Sequence, residues 1–586
     1  MSDPATAAAA GLAGSAAGQL PALAIVVPLV AAPLCVIARN GRLAWWIAFA
    51  ASGATALVAW NLLGAVEPGR AVRYAVGGWA APAGIELYVD YLNAIVLMLV
   101  AGISTVALVY ARRSIEPTVE EGKRYLFWTA WLLCLTGLLG ITITGDAFNV
   151  FVFLEISSLS TYMLVSFGSD RRALSAAFRY VILGSVGASF ILIGVGFLYA
   201  ATGTLNMVDL AHRLPGVEGE RTVLVAFSFL TIGLMIKAAV FPLHAWLANA
   251  YQHAPVAATV FLAGTATKVS LYVLVRFFHS IFGVEYSFGQ LFLNTILLPA
   301  AVAGFTVMSL VAVFQTDLRR LLAFSSVAQI GYIVAGIALA TEAGLAAGLV
   351  HVVNHGIVKA ALFMATGCLL FRLGHAHVPS FDDLFRRMPF TCAAFGLAGL
   401  GLIGVPLTAG FVSKFALVGA LLERGLWPVV ALVLVSSLTA VIYVGRVLEI
   451  MLFRKGRAVE GHVAGRAEAP VSMLAATWLM VAAMFWVGTH GDATLGLAEA
   501  AAADVAAGLA SQTVGPVPVG TVPVETVPAG PCRRGPCRPG PCRPRARPAS
   551  PPPARRASGE PARHARAAAG GGAADPLARR AEPERP

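Results

Sequence analysis

Charged residues are scarce in this chain: Asp, Glu, Lys and Arg make up 12% of its 586 residues, while 58% are hydrophobic. Soluble domains carry about 25% charged residues. With a mean hydropathy of +0.77, a soluble fold is excluded and an all-α polytopic membrane protein in a lipid bilayer is expected. Cofactor motifs are missing too. No Gly-x-Gly-x-x-Gly follows a strand and no Cys-x-x-Cys occurs, so no cofactor, no metal and no catalytic residue is expected. Of seven cysteines, Cys35, Cys134, Cys368 and Cys392 stand singly in or beside apolar segments and read as small core residues. Cys532, Cys537 and Cys542 recur in Gly-Pro-Cys-Arg units that match no zinc or iron–sulfur spacing. Met1 to Leu20 lacks a basic region, so it reads as an N-terminal segment and not as a cleavable signal.

The net charge of +12 is unevenly spread: from Ser511 onward there are thirteen Arg and five acids, which puts +8 in the tail and +4 in the body. Nucleic acid is therefore not an expected partner. Residues 491–586 turn Ala-rich, then Val-Pro-rich, then Pro/Arg/Gly-rich with almost no aromatics, a composition expected to stay disordered.

Apolar runs of transmembrane length fall at 21–38, 43–64, 90–112, 124–142, 147–167, 173–201, 222–243, 255–281, 290–314, 319–340, 344–371, 390–421, 427–453 and 470–489, fourteen in all. Three of them, 173–201, 344–371 and 390–421, are long enough to require tilt or an internal break. Basic clusters at Arg39/Arg42, Arg112/Arg113/Lys123/Arg124, Arg171/Arg172, Arg319/Arg320, Arg386/Arg387 and Arg454/Lys455/Arg457 follow odd-numbered spans. The positive-inside rule then predicts a multi-pass protein of the bacterial inner membrane with both termini on the outer face.

Against this apolar background the buried charges stand out. Leu234-Met-Ile-Lys237-Ala-Ala-Val-Phe-Pro242 puts a lysine in mid-span, five residues before a proline that breaks the helix. A lysine at bilayer depth costs about 2.5–3.5 kcal/mol, so it needs a partner and a purpose. Glu155 lies eight residues inside the fifth span and is the natural partner. Lys268 is a second mid-membrane lysine, in the eighth span. His351, His355 and Lys359 in the eleventh span sit near 0°, 40° and 80° at about 100° per residue, which makes one polar stripe. Histidine takes up and releases protons near neutral pH, as a relay requires. The twelfth span is interrupted at Gly404-Val-Pro406-Leu-Thr-Ala-Gly410, again with a lysine, Lys414, beside the break. A helix break flanked by a charge suits an ion path, and its return five spans later suits an internal repeat.

These residues resemble the antiporter-like proton channel subunits of respiratory complex I, membrane hydrogenases and the multisubunit Mrp-type sodium/proton antiporters. The likeness covers about residues 75–455 and rests on Glu155, Lys237-Ala-Ala-Val-Phe-Pro-Leu-His-Ala-Trp246, Lys268, His351…His355…Lys359 and Lys414. Gly77-Gly-Trp-Ala and Asp317-Leu-Arg-Arg-Leu-Leu-Ala-Phe-Ser-Ser-Val-Ala-Gln-Ile-Gly-Tyr332 support it. Asp170-Arg-Arg-Ala-Leu, Ile182-Leu-Gly-Ser-Val-Gly and Leu198-Tyr-Ala-Ala-Thr-Gly are most similar to the D-type branch of the Mrp antiporter proteins. Ala248 stands where the family usually has proline, which puts the local turn geometry in question.

The resemblance implies helices 1–3 over 21–115, inverted five-helix repeats over 120–285 and 290–455 with helices 7 and 12 broken, and helix 14 within 456–490. It implies Glu155–Lys237 as a switchable ion pair, Lys268 as central relay, and His351, His355 and Lys359 conducting toward Lys414. Expected partners are other subunits of a membrane assembly, protons and a monovalent cation. The expected function is proton movement in a sodium/proton antiporter; the alternative is the same role in a complex I-type quinone reductase or hydrogenase. A scaffold would not require ionisable residues ordered through successive spans.

Overall fold

The computed structural model describes residues 16–454 and 468–509. Residues 510–586, with the three tail cysteines, and most of the N-terminal segment lie outside the described residues. Three long helices come first: α1 (Leu20–Ala38), α2 (Gly41–Ala65) and, after a short antiparallel hairpin, α3 (Tyr91–Ser114). The hairpin pairs β1 (Val72–Ala75) with β2 (Glu86–Val89), with Val72 opposite Val89. A first series follows: α4 (Arg124–Ile143), α5 (Ala147–Ser166), α6 (Arg171–Thr202), the short α7 (Met207–Arg213), α8 (Arg221–Lys237), α9 (Ala245–His253) and α10 (Val256–Val275). A second contains α11 (Asn294–Val313), α12 (Leu318–Ala338), α13 (Glu342–Leu373), the short α14 (Leu384–Arg387), α15 (Pro389–Ile403), α16 (Ala409–Glu423) and α17 (Trp427–Phe453). The described chain ends with α18 (Val471–Thr489) and α19 (Gly491–Ala507).

Among the described residues, twelve helices are long and apolar enough to cross a membrane. The two predicted spans that do not appear as single helices are the seventh and the twelfth. Each is divided, into α8 and α9 and into α15 and α16. The seventh also runs on to His253, ten residues past the predicted end at 243, because the break consumes residues that a second half-helix must restore. Of the three long spans, only 390–421 is broken; α6 and α13 are each continuous over 32 residues. Ala248, in place of the usual proline, sits inside the regular helix α9.

The two series share a fixed set of landmarks. Asp146 caps α5 by accepting the Asn149 N–H at 2.7 Å, and its backbone bridges to Asn206. Asp317 caps α12 by accepting the Arg320 N–H at 3.0 Å, and its backbone bridges to His377. The 32-residue helices α6 and α13 end at left-handed Gly203 and Gly374. The offset is the same 171 residues each time: 146 to 317, 203 to 374, 206 to 377. The second series is thus laid out on the plan of the first, down to which helix is broken.

One expectation is corrected. The disordered tail was expected from 491, but Gly491–Ala507 forms α19, which packs on α13 and α3. Ala498, Ala501, Ala502 and Val505 recur on one face and are buried, while Asp504 accepts the Gly69 N–H at 3.0 Å. Alanine offers little area to bury, so composition alone reads as coil; a preformed groove between neighbouring helices makes small side chains the ones that fit. Cys35, Cys134, Cys368 and Cys392 are unpaired and buried.

Candidate functional site

Lys237 is the last residue of α8, so its side chain leaves the helix where the backbone ladder stops. Beyond it Ala239 turns left-handed (φ 55) and α9 begins only at Ala245. The carbonyls freed by the break are partly recovered: Val240 N–H reaches Met235 O at 3.0 Å, and Trp246 Nε1–H donates to Ile236 O at 3.0 Å. Lys237 Nζ donates to Ser158 Oγ at 2.8 Å and stands 4.0 Å from Glu155 Oε1. The expected pair is therefore brought together loosely, with a hydroxyl holding the ammonium and the carboxylate at the outer limit of ion-pair distance. Glu155 Oε1 makes no hydrogen bond, and the Glu155 side chain is 30% exposed against 8% for Lys237. Ser158 was not singled out from sequence, although its place one turn beyond Glu155 was the available signal.

The second break is built differently. Gly404 ends α15 with φ 91, and a Cβ there would meet Lys414 Cδ at 3.0 Å. A Cβ on Gly410 would run into the Gly401 carbonyl oxygen, so both glycines are required where the two half-helices touch. Leu407 is left-handed as well (φ 71). Lys414 belongs to the half-helix after the break and reaches back across it. Its Nζ donates to Leu402 O (3.0 Å), Ile403 O (2.8 Å) and Ser437 Oγ (3.1 Å). The ammonium thus occupies the negative end of α15 and satisfies two of its orphan carbonyls. Lys237, by contrast, precedes its break; the two sites match in plan, not in detail.

Between them lies α13. His351 Nδ1 meets Ser413 Oγ at 2.8 Å and its Nε2 meets Gln329 Oε1 at 3.0 Å. His355 stacks nearly parallel to His351, ring centroids 6.3 Å apart, and neither of its nitrogens has a protein hydrogen bond. A small cavity lined by Gln329, His351, Asn354, His355, Leu402 and Gly410 opens beside this pair. Tyr332 joins His351 to Lys414: its ring stands edge-on to the imidazole at 5.7 Å and lies 5.0 Å from Lys414 Nζ. Its hydroxyl donates to Ser436 Oγ at 2.7 Å. Lys359, the third member of the predicted stripe, turns instead to α12, donating to Leu322 O (2.9 Å) and Ser325 Oγ (2.5 Å). Lys268 on α10, which packs against α13, is fully buried and donates to Ala263 O and, at 3.4 Å, to Thr267 Oγ1.

Gln329, Tyr332, Ser413 and Ser436 were not predicted as site residues; Gln329 and Tyr332 lie on a helix read only for family likeness. Nor was the tightest buried ion pair of the described residues, Asp90–Arg276. It is bidentate at 2.8 Å on both arms with each side chain 3% exposed, and it ties the start of α3 to the end of α10. A surface groove between α11 and α17 is lined by apolar residues and Thr306 and contains no titratable group.

Discontinuous spans and a buried series of lysines and histidines define the class, a multi-pass helical membrane protein with titratable groups inside the bundle. The chain belongs to the NADH:quinone oxidoreductase/Mrp antiporter transmembrane family, whose pattern matches residues 144–440. It is 43% identical to the N subunit of NADH-quinone oxidoreductase from Desulforudis audaxviator over 463 residues, 77% of this chain and 89% of the relative. It is 32% identical to the D-type component of the Na(+)/H(+) antiporter from Alkalihalophilus pseudofirmus over 346 residues, 58% of this chain and 68% of the relative. Its fold superposes on a chain of the Mrp complex from Dietzia sp. with TM-score 0.75 and 26% identity, covering 83% of this chain and 97% of that one.

Proposed function

We propose that this protein is the proton-translocating membrane subunit of a multisubunit sodium/proton antiporter. The observation that carries the reading is the linked set His355, His351, Tyr332 and Lys414: contacts to the Tyr332 ring bring the histidines of α13, which bind and release protons, next to the lysine at the second helix break. Kinship with the D-type antiporter components supports the transport role and the membership of a larger assembly. The five-helix plan of each series, an odd number of crossings, supports an inverted relation between the two. Basic loops after odd-numbered spans support both termini on the outer face of the bacterial inner membrane.

The loose Glu155–Lys237 contact supports a switch. An ammonium in an apolar site needs a counter-charge. When Glu155 swings away, Ser158 alone remains to hold Lys237, and the proton can pass toward Lys268, then through α13 to Lys414. A second reading is favoured by the 43% identity to the N subunit of a quinone oxidoreductase: the same proton path would then serve a redox-driven complex whose chemistry lies in other subunits. The test is cation-dependent proton exchange in vesicles carrying the assembled complex. Glu155→Gln and Lys237→Ala should each abolish exchange at unchanged protein level, and normal exchange in both would end the ion-pair mechanism. Exchange that requires NADH or quinone, with no response to sodium, would favour the second reading.

A further inference from the structure

The corner where α1 turns into α2 beside the end of α3 carries arginines that the proton path does not use. Arg39 and Arg42 flank this turn and Arg112 lies in the last turn of α3; all three are exposed. Asn40 caps α2 by accepting the Arg42 and Leu43 N–H groups at 2.9 and 3.1 Å, which fixes the turn. Trp45 Nε1–H donates to Leu108 O at 2.9 Å and clamps α2 to α3. The Arg112 guanidinium then stacks over Trp45 and Trp46, its carbon 4.7 and 5.9 Å from the two ring centroids. Arg42 lies three and four residues before Trp45 and Trp46, on the same side of α2 as the two rings that Arg112 covers.

Among the described residues, Arg39, Arg42 and Arg112 form no ion pair. Acids are close in sequence but engaged elsewhere. Glu116 pairs with Arg113 at 3.0 Å and Glu120 with Lys123 at 2.8 Å, and Lys123 holds the Glu120 carboxyl below its usual range. Of the acids in this loop only Glu121 is left without an ion pair. Toward the membrane from this corner the surface is apolar and exposed: Leu34 and Ile37 on α1, Leu43 and Trp46 on α2. Three guanidinium groups at a helix end, one preorganised by aromatic stacking, above an apolar wall, match a phosphate carrying acyl chains.

We propose that this corner binds the phosphate of an anionic phospholipid, held by Arg42, Arg112 and Arg39, with an acyl chain along Leu34, Ile37 and Trp46. Membrane orientation alone would need only the charges. The stacked guanidinium, together with the pairing of Glu116 and Glu120 to other cations, is what makes a site.

The test uses the full chain in its purified complex, in detergent micelles containing phosphatidylcholine and titrated with phosphatidylglycerol, with bound lipids counted by native mass spectrometry. Arg42→Gln/Arg112→Gln is compared with Arg113→Gln/Lys123→Gln, which removes two charges from the same face but from residues already paired. The first variant should lose one phosphatidylglycerol, with affinity there about thirty-fold weaker; the second should retain it. Inorganic phosphate should not compete at concentrations where the lipid saturates. Arg112→Lys keeps the charge but loses the stacked planar fork, so it should weaken binding without affecting folding. Equal lipid occupancy in the two double variants would overturn the site, and displacement by inorganic phosphate at matched concentration would reduce it to a free-anion site.

Discussion

Substituting arginine for Lys414 tests whether the second helix break is a station for protons or merely a capped helix end. The three acceptors around Nζ are two successive carbonyls and a hydroxyl at 2.8–3.1 Å. A guanidinium fork can meet both carbonyls at once, so Lys414→Arg keeps the capping interaction and the positive charge and should not unfold the site. What it removes is proton release. Arginine holds its proton about two to three pKa units more tightly than lysine in water. In one and the same environment the proton-free fraction therefore falls by about a hundredfold or more. If that form is an obligatory intermediate, flux should drop by a comparable factor. The assay is proton flux into vesicles that carry the assembled complex, with antibody detection to equalise protein. Lys414→Met serves as the contrasting variant: it strands two buried carbonyls at about 1–3 kcal/mol each and should lower complex yield. Wild-type flux in Lys414→Arg would mean that this lysine is only a cap and that the path ends elsewhere.

Two further outcomes are expected. Replacing His351 and His355 together by non-titrating residues should slow proton flux more than the two single changes suggest, because the stacked rings can stand in for one another; additive losses would argue against a shared relay. Truncation after residue 509 should leave assembly intact, whereas truncation after His490 removes α19. It would expose Gly69 N–H by loss of the Asp504 carboxylate, worth about 1.5–3 kcal/mol for a charged hydrogen bond, and uncover α3 and α13. Gel filtration of the two truncated complexes distinguishes them, and equal stability would show α19 to be dispensable.

The solvent, the number of crossings and the two broken spans were legible in the sequence. Twenty-residue apolar runs are unavoidable evidence of a bilayer, and a proline near a buried lysine, Pro242 and again Pro406, marks a break, whereas Pro28, Pro33 and Pro299 sit inside continuous helices. The sequence also marked the lysines and histidines, because a charge in an apolar run is conspicuous whatever it touches. Period alone put His351, His355 and Lys359 on one stripe, and the two histidines do stack. Only the packing of α12 against α13 sent Lys359 to Leu322 and Ser325. The groups that complete the site, Ser158, Gln329, Tyr332, Ser413 and Ser437, are ordinary polar or aromatic residues until another helix is laid against them. No one-dimensional pattern distinguishes them from packing residues. The same holds for α19, whose alanines look too small to fold until α3 and α13 supply a groove. It holds too for Lys414, whose role depends on reaching back over its own break to the carbonyls of α15, a contact that the three-dimensional course of the chain creates.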